Sequence, residues 1–77
     1  MRYSKAALAL MDRGLNLRTI ADELSVRPQS VSRWLAGQSP PPPELYDVLA
    51  ALSDANFALE IRRLSEQAHR LSEQARR

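Results

Sequence analysis

The sequence predicts an all-α fold of four to five short helices, followed by a C-terminal helix that carries a short heptad repeat. Three observations lead there. Apolar residues recur at helical spacing in Ile20, Ala21 and Leu24, again in Val31, Trp34 and Leu35, and again in Leu45, Val48, Leu49 and Leu52. Helix starts and stops punctuate the same stretches, with Ser4 and Asn16 as N-caps and Gly14 and Gly37 as terminators. Within the tail, residues 57–77, a seven-residue unit then repeats, LSEQAHR followed by LSEQARR. Residues 1–53 therefore read as one small helical domain and 54–77 as an added helix.

Composition narrows the function classes. The 77 residues leave room for a modest core. Without cysteine there is no disulfide framework, thiol nucleophile or thiolate metal site, which predicts a reducing, cytoplasmic setting. No apolar run approaches the roughly eighteen residues a spanning helix needs, and no signal-peptide pattern opens the chain. His69 is the single histidine, with no carboxylate–histidine metal spacing around it, so the sequence predicts no enzyme, no metal and no cofactor. Net charge is only +2, but its distribution is uneven: between Leu24 and Pro43 there are two arginines and no acid.

In chain order, the first helix starts after Ser4, with Tyr3 set to pack on Leu8 as a hydrophobic staple. Ala7, Leu8 and Met11 are its expected inward stripe, and Leu15 folds back past Gly14 in a Schellman contact. The second helix opens at Asn16. Arg18 and Thr19 occupy its first turn, where unpaired N–H groups make a natural phosphate site. Ser25-Val26-Arg27 forms a tight turn into a third helix, Pro28 to Ala36, whose first residue lacks an N–H where none is needed. Its outer face carries Arg27, Gln29, Ser30, Ser32 and Arg33 without a carboxylate.

The stretch from Asn16 to Gly37, NLRTIADELSVRPQSVSRWLAG, resembles the helix-turn-helix of the Cro and lambdoid phage repressor family, with Ala21, Val26, Val31 and Trp34 on that family's buried positions. The likeness is close over about twenty residues and extends to residues 3–53. Ser25 stands where the family usually has glycine, a left-handed position that costs another residue on the order of 1 kcal/mol. Trp34 is bulkier than the usual Ile or Leu. The resemblance implies a bacterial or phage regulator that represses by blocking a promoter. A reading helix of this kind enters the major groove by its N-terminus. That assigns base readout to Arg27, Pro28, Gln29, Ser32 and Arg33, since Arg pairs with guanine O6/N7 and Gln with adenine N6/N7. Asn16, Arg18, Thr19 and Ser30 are the expected backbone contacts. The family's next loop often touches DNA too, and here only Gln38 and Ser39 could, because Pro40–Pro43 lack N–H donors.

The prolines read as a rigid connector rather than a ligand for a polyproline-binding partner. Helix four, 43–53, closes the core. Either Ser53 or Asp54 caps a fifth helix, or the chain runs straight on. Phe57, Ile61, Leu64, Ala68, Leu71 and Ala75 then follow at intervals of four and three, a heptad seam for dimerisation. Two alanines make the seam thin, and the alternative is a helix folded back on its own domain. Glu66–Arg70 and Glu73–Arg77 are i,i+4 pairs, and Arg62, Arg63, Arg70, Arg76 and Arg77 form a solvated outer face. The expected partners are inverted-repeat double-stranded DNA and a second copy of the chain, with no membrane. The alternative is an interaction module, such as an antitoxin or phage accessory factor, that holds a partner protein by the C-terminal helix.

Overall fold

Ser4, Asn16 and Asp54 each hand a side-chain oxygen to the backbone three residues on, and those three contacts start three of the five helices. The computed structural model describes residues 3–75. The helices are α1 (Lys5–Asp12), α2 (Leu17–Leu24), α3 (Pro28–Leu35), α4 (Glu44–Leu52) and α5 (Ala55–Ala75), and no strand occurs among the described residues. Ser4 Oγ accepts from Ala7 N–H at 3.2 Å, Asn16 Oδ1 from Thr19 N–H at 2.8 Å, and Asp54 Oδ1 from Phe57 N–H at 2.7 Å.

The ends of α1, α2 and α3 share one device. A left-handed residue (Gly14, Ser25 or Gly37) turns the chain, and the N–H after it reaches back five residues. These bonds are Leu15 to Leu10 O (3.2 Å), Val26 to Ala21 O (3.0 Å) and Gln38 to Arg33 O (2.9 Å). Ser25 accepts φ 55°, ψ 42°, so the family's turn forms without glycine.

Helix α2 lies on α3 and α4, while α5 runs across α1, α3 and α4. Leu10, Ile20, Ala21, Val31, Leu35, Leu45, Leu49, Phe57 and Ile61 make the core. Ala21 is fully buried on α2, the helix that packs on α3 and α4, and its single methyl leaves them room. The chain does not run straight from α4 into α5. It breaks at Ser53 (φ −136°, ψ −99°), and Asp54 restarts it. Arg13, just past α1, clasps this corner: its guanidinium donates to Ser53 Oγ (2.9 Å) and Asp54 Oδ2 (3.1 Å) and lies 4.4 Å over the Phe57 ring.

Several expectations need correction. In α1 the buried residues are Ala6, Ala7 and Leu10, whereas Leu8 is 49% exposed. The stripe is rotated because α3 and α5 both lean on this helix, and two alanines give them room. The tail folds back on its own domain. Phe57 and Ile61 are 2% and 0% exposed inside the chain's own core, so neither is available as a dimerisation contact. Leu64 and Ala68 are half-buried on the same side, and Leu71 is exposed. The side chain of Ala75, and Arg76 and Arg77 entirely, lie outside the described residues. Glu66 pairs with Arg62 (2.9 Å) rather than with Arg70, and Glu73 lies 3.2 Å from His69 Nε2.

Candidate nucleic-acid interface

Two turns of helix carry the site. Val31 and Leu35 are fully buried and Trp34 packs half-buried beside them, which fixes the rotation of α3. The opposite line, one turn apart, is Gln29 and Arg33, both exposed. Pro28 occupies the first helical position and Arg27 the N-cap, with φ −81° and ψ 147° and no side-chain cap bond. Arg27 and Pro28 are exposed, while Ser30 and Ser32 sit half-buried on the flanks. Among the described residues, Arg18, Arg27 and Arg33 form no ion pair with a carboxylate.

The outer face of α3 borders an open cleft of about 520 Å³. Pro28, Gln29, Ser32, Arg33 and Gln38 line one side, and Tyr3, Ser4 and Leu17 line the other. Four of the five expected base-reading residues thus meet around one concavity, joined by Gln38; Arg27 stands at its edge of the helix without lining it. Asn16, Arg18 and Thr19 are exposed at the start of α2, where Asn16 Oδ1 is already engaged by Thr19 N–H and by Thr19 Oγ1 at 2.9 Å. Ser39 departs from the group. It lines a second cleft of about 340 Å³ between the proline loop and α5, with Pro40, Pro41, Ser65 and His69.

The spacing of Tyr3 and Ser4 points only to a structural role at the start of α1. Tyr3 is 46% exposed and its supposed staple partner Leu8 is exposed as well, so the ring stands at the cleft instead. His69 is half-buried on α5, with Nδ1 3.0 Å from the Gly37 carbonyl.

Among the described residues two titrating groups are shifted, Tyr46 and Asp54, and neither lines the cleft. Burial pushes the Tyr46 phenol up. The Phe57 N–H bond, and then Arg13, hold the Asp54 carboxyl below its ordinary value. Among the described residues no helix is long and apolar enough to cross a membrane, and no group of three His, Cys, Asp or Glu side chains could hold a metal ion.

A family model described as helix-turn-helix matches residues 5–53, the span from α1 to the Ser53 break. No curated protein and no solved structure matches the chain. With most of its length matched and the two-helix unit folded as above, the chain belongs to the helix-turn-helix family of DNA-binding transcription regulators, of the Cro and lambdoid phage repressor type.

Proposed function

We propose that the chain is a sequence-specific transcriptional repressor that binds a roughly palindromic operator as a homodimer. The observation that carries the reading is the Gln29–Arg33 line, exposed along α3 directly opposite its buried anchors and bordered by a cleft free of carboxylates. Gln29 and Arg33 reach base edges, with Ser32 beside them and Arg27 and Pro28 at the leading end. Phosphate contacts fall to Asn16, Arg18, Thr19, Ser30 and Gln38, which flank that line; Ser39, turned toward α5, is the weakest member of this set.

Dimerisation is thin in this reading. With Phe57 and Ile61 already used inside the protomer, Leu71 and the open flanks of Leu64 and Ala68 remain for a partner helix. A single exposed leucine contributes only about 1.5–3 kcal/mol on burial. The two copies therefore associate mainly when adjacent half-sites hold them together, as linked weak contacts do.

The test is selection of preferred duplexes from a random library, followed by Gln29→Ala and Arg33→Ala. Each is expected to cost about 1–3 kcal/mol on the selected duplex and to relax preference at particular base positions. Equal weakening on all duplexes would reassign these side chains to phosphate. The exposed Leu59 and Leu71 on α5 favour a second reading, an interaction module that binds a partner protein by this helix. Salt separates the two: arginine–phosphate binding weakens steeply as salt rises, and apolar helix pairing does not.

A further inference from the structure

Helix α5 does more than cover the core, because it seals the end of α3 with two side chains. Ser65 is 2% exposed, and its hydroxyl donates to the Trp34 carbonyl at 2.6 Å. One turn later His69 Nδ1 donates to the Gly37 carbonyl at 3.0 Å; that oxygen can only accept, so Nδ1 carries the hydrogen. The Trp34 carbonyl lies in the last turn of α3, where it also accepts from Gly37 N–H at 3.2 Å, and the Gly37 carbonyl lies just beyond the helix, past the reach of the helix's own donors. Gly37 makes the contact close. A Cβ there would fall on the backbone nitrogen of His69 and lie 2.5 Å from the Ala68 carbonyl carbon. The two backbones meet with nothing between them.

We propose that Ser65 and His69 are positioning residues for base readout, setting the tilt and rotation at which α3 presents Gln29 and Arg33. This role rests on the assignment of α3 as the DNA-reading helix. Helix α3 has eight residues and is about 12 Å long, so a tilt of about 10° at its C-terminal end moves its leading end by about 2 Å. Recognition geometry tolerates only about 0.5 Å. Val31 and Leu35 inside the core, with Trp34 packed against it, fix one face of the helix, while the Ser65 and His69 bonds fix its end.

The full-length chain is compared with Ser65→Ala/His69→Ala, His69→Asn and Glu73→Gln, all at a temperature where circular dichroism shows each folded. Asparagine returns an N–H near the place of Nδ1 without the Glu73 contact, and Glu73→Gln removes that contact alone. Should the double variant fail to fold, His69→Ala, at a half-buried site, replaces it. The first readout is amide exchange at Ala36, Gly37 and Gln38, whose N–H groups bond Ser32, Trp34 and Arg33. The second is the ratio of affinities for a duplex selected by the wild-type chain and a scrambled duplex of equal length. The double variant is expected to exchange about tenfold faster at these amides, with Val26 unchanged. It is also expected to lose about tenfold in the affinity ratio, with His69→Asn and Glu73→Gln near wild type. Unchanged exchange, or faster exchange with an unchanged ratio, overturns the role. A wild-type chain that prefers no duplex would remove the base-reading assignment and this role with it. A preference kept by the double variant would remove this role alone.

Discussion

Replacing Gly37 with alanine is the sharpest perturbation of the packing between α5 and α3, and Gly14 supplies its own control. Both glycines adopt left-handed backbones, at φ 76° and φ 82°. Around Gly14 an added Cβ meets nothing within 4 Å. Gly14→Ala therefore costs only the conformational term, about 1–2 kcal/mol, reduced slightly by the smaller entropy of the unfolded alanine chain. At Gly37 the same term applies, and the new methyl also lands on α5, 2.7 Å from the His69 Cα. Ordinary carbon contacts lie at about 3.5–4.0 Å, so α5 must retreat by about 1 Å. That retreat breaks the Ser65 and His69 bonds, each contributing about 0.5–1.5 kcal/mol. The expected cost is about 2–5 kcal/mol, against a total stability of about 4–12 kcal/mol for 77 residues. Urea denaturation of both variants gives the difference directly. In thermal melts it corresponds to a midpoint lower by about 4–8 °C for each extra kcal/mol. Equal losses in the two variants would show that α5 is not seated on Gly37, and the reasoning about the α3 end would fall.

Further outcomes follow from the same contacts. Ile61→Ala removes a fully buried side chain and is expected to cost about 2–5 kcal/mol. The loss should be independent of protein concentration, and a concentration-dependent midpoint would place Ile61 between copies after all. Asp54 holds a folded-state pKa below its ordinary 3.8, so the stability its carboxylate contributes is complete above that pH and is lost as pH falls through the lower folded value. Asp54→Ala should accordingly flatten the acid limb of stability against pH, and an unaltered limb would deny the cap its charge. Ser25→Gly relieves a positive φ of 55° and should raise the unfolding free energy measured in urea by up to about 1 kcal/mol, net of the unfolded-state entropy of glycine; an unchanged or lower value would show that Ser25 carries no strain there. Deleting residues 71–77 should leave the fold intact and weaken cooperative binding to a two-half-site duplex in mobility-shift assays, whereas undiminished cooperativity would move the dimer contact elsewhere.

What could be read from the sequence was whatever local chemistry decides. Ser4 and Asn16 start their helices because a short polar side chain reaches an amide three residues on, and Gly14, Ser25 and Gly37 end theirs because the backbone turns left-handed there. The Gln29–Arg33 line was legible for a related reason, since Val31 and Leu35 fix the rotation of α3 within two turns. Questions of partner were not legible. Leu8 faces outward because α3 and α5 both press on Ala6, Ala7 and Leu10, and that choice depends on helices far away in sequence. The four-and-three spacing of Phe57, Ile61 and Leu64 suits a second chain and the chain's own core equally. Only the burial of Ala58 and Ser65 beside that line turns α5 inward. The contact of His69 with Gly37 joins residues 32 positions apart, which no local pattern encodes.

The meeting of α5 and Gly37 is main chain against main chain, and this limits how the protein can change over time. When bulk intrudes between two side chains, one can shrink to accommodate the other. At this crossing there is no side chain to trim, so a substitution at Gly37 finds no compensating mutation on α5. The third helix and the C-terminal helix are therefore inherited as a pair. New target sequences would be reached by altering Gln29, Ser32 and Arg33 while the joint behind them stays as it is.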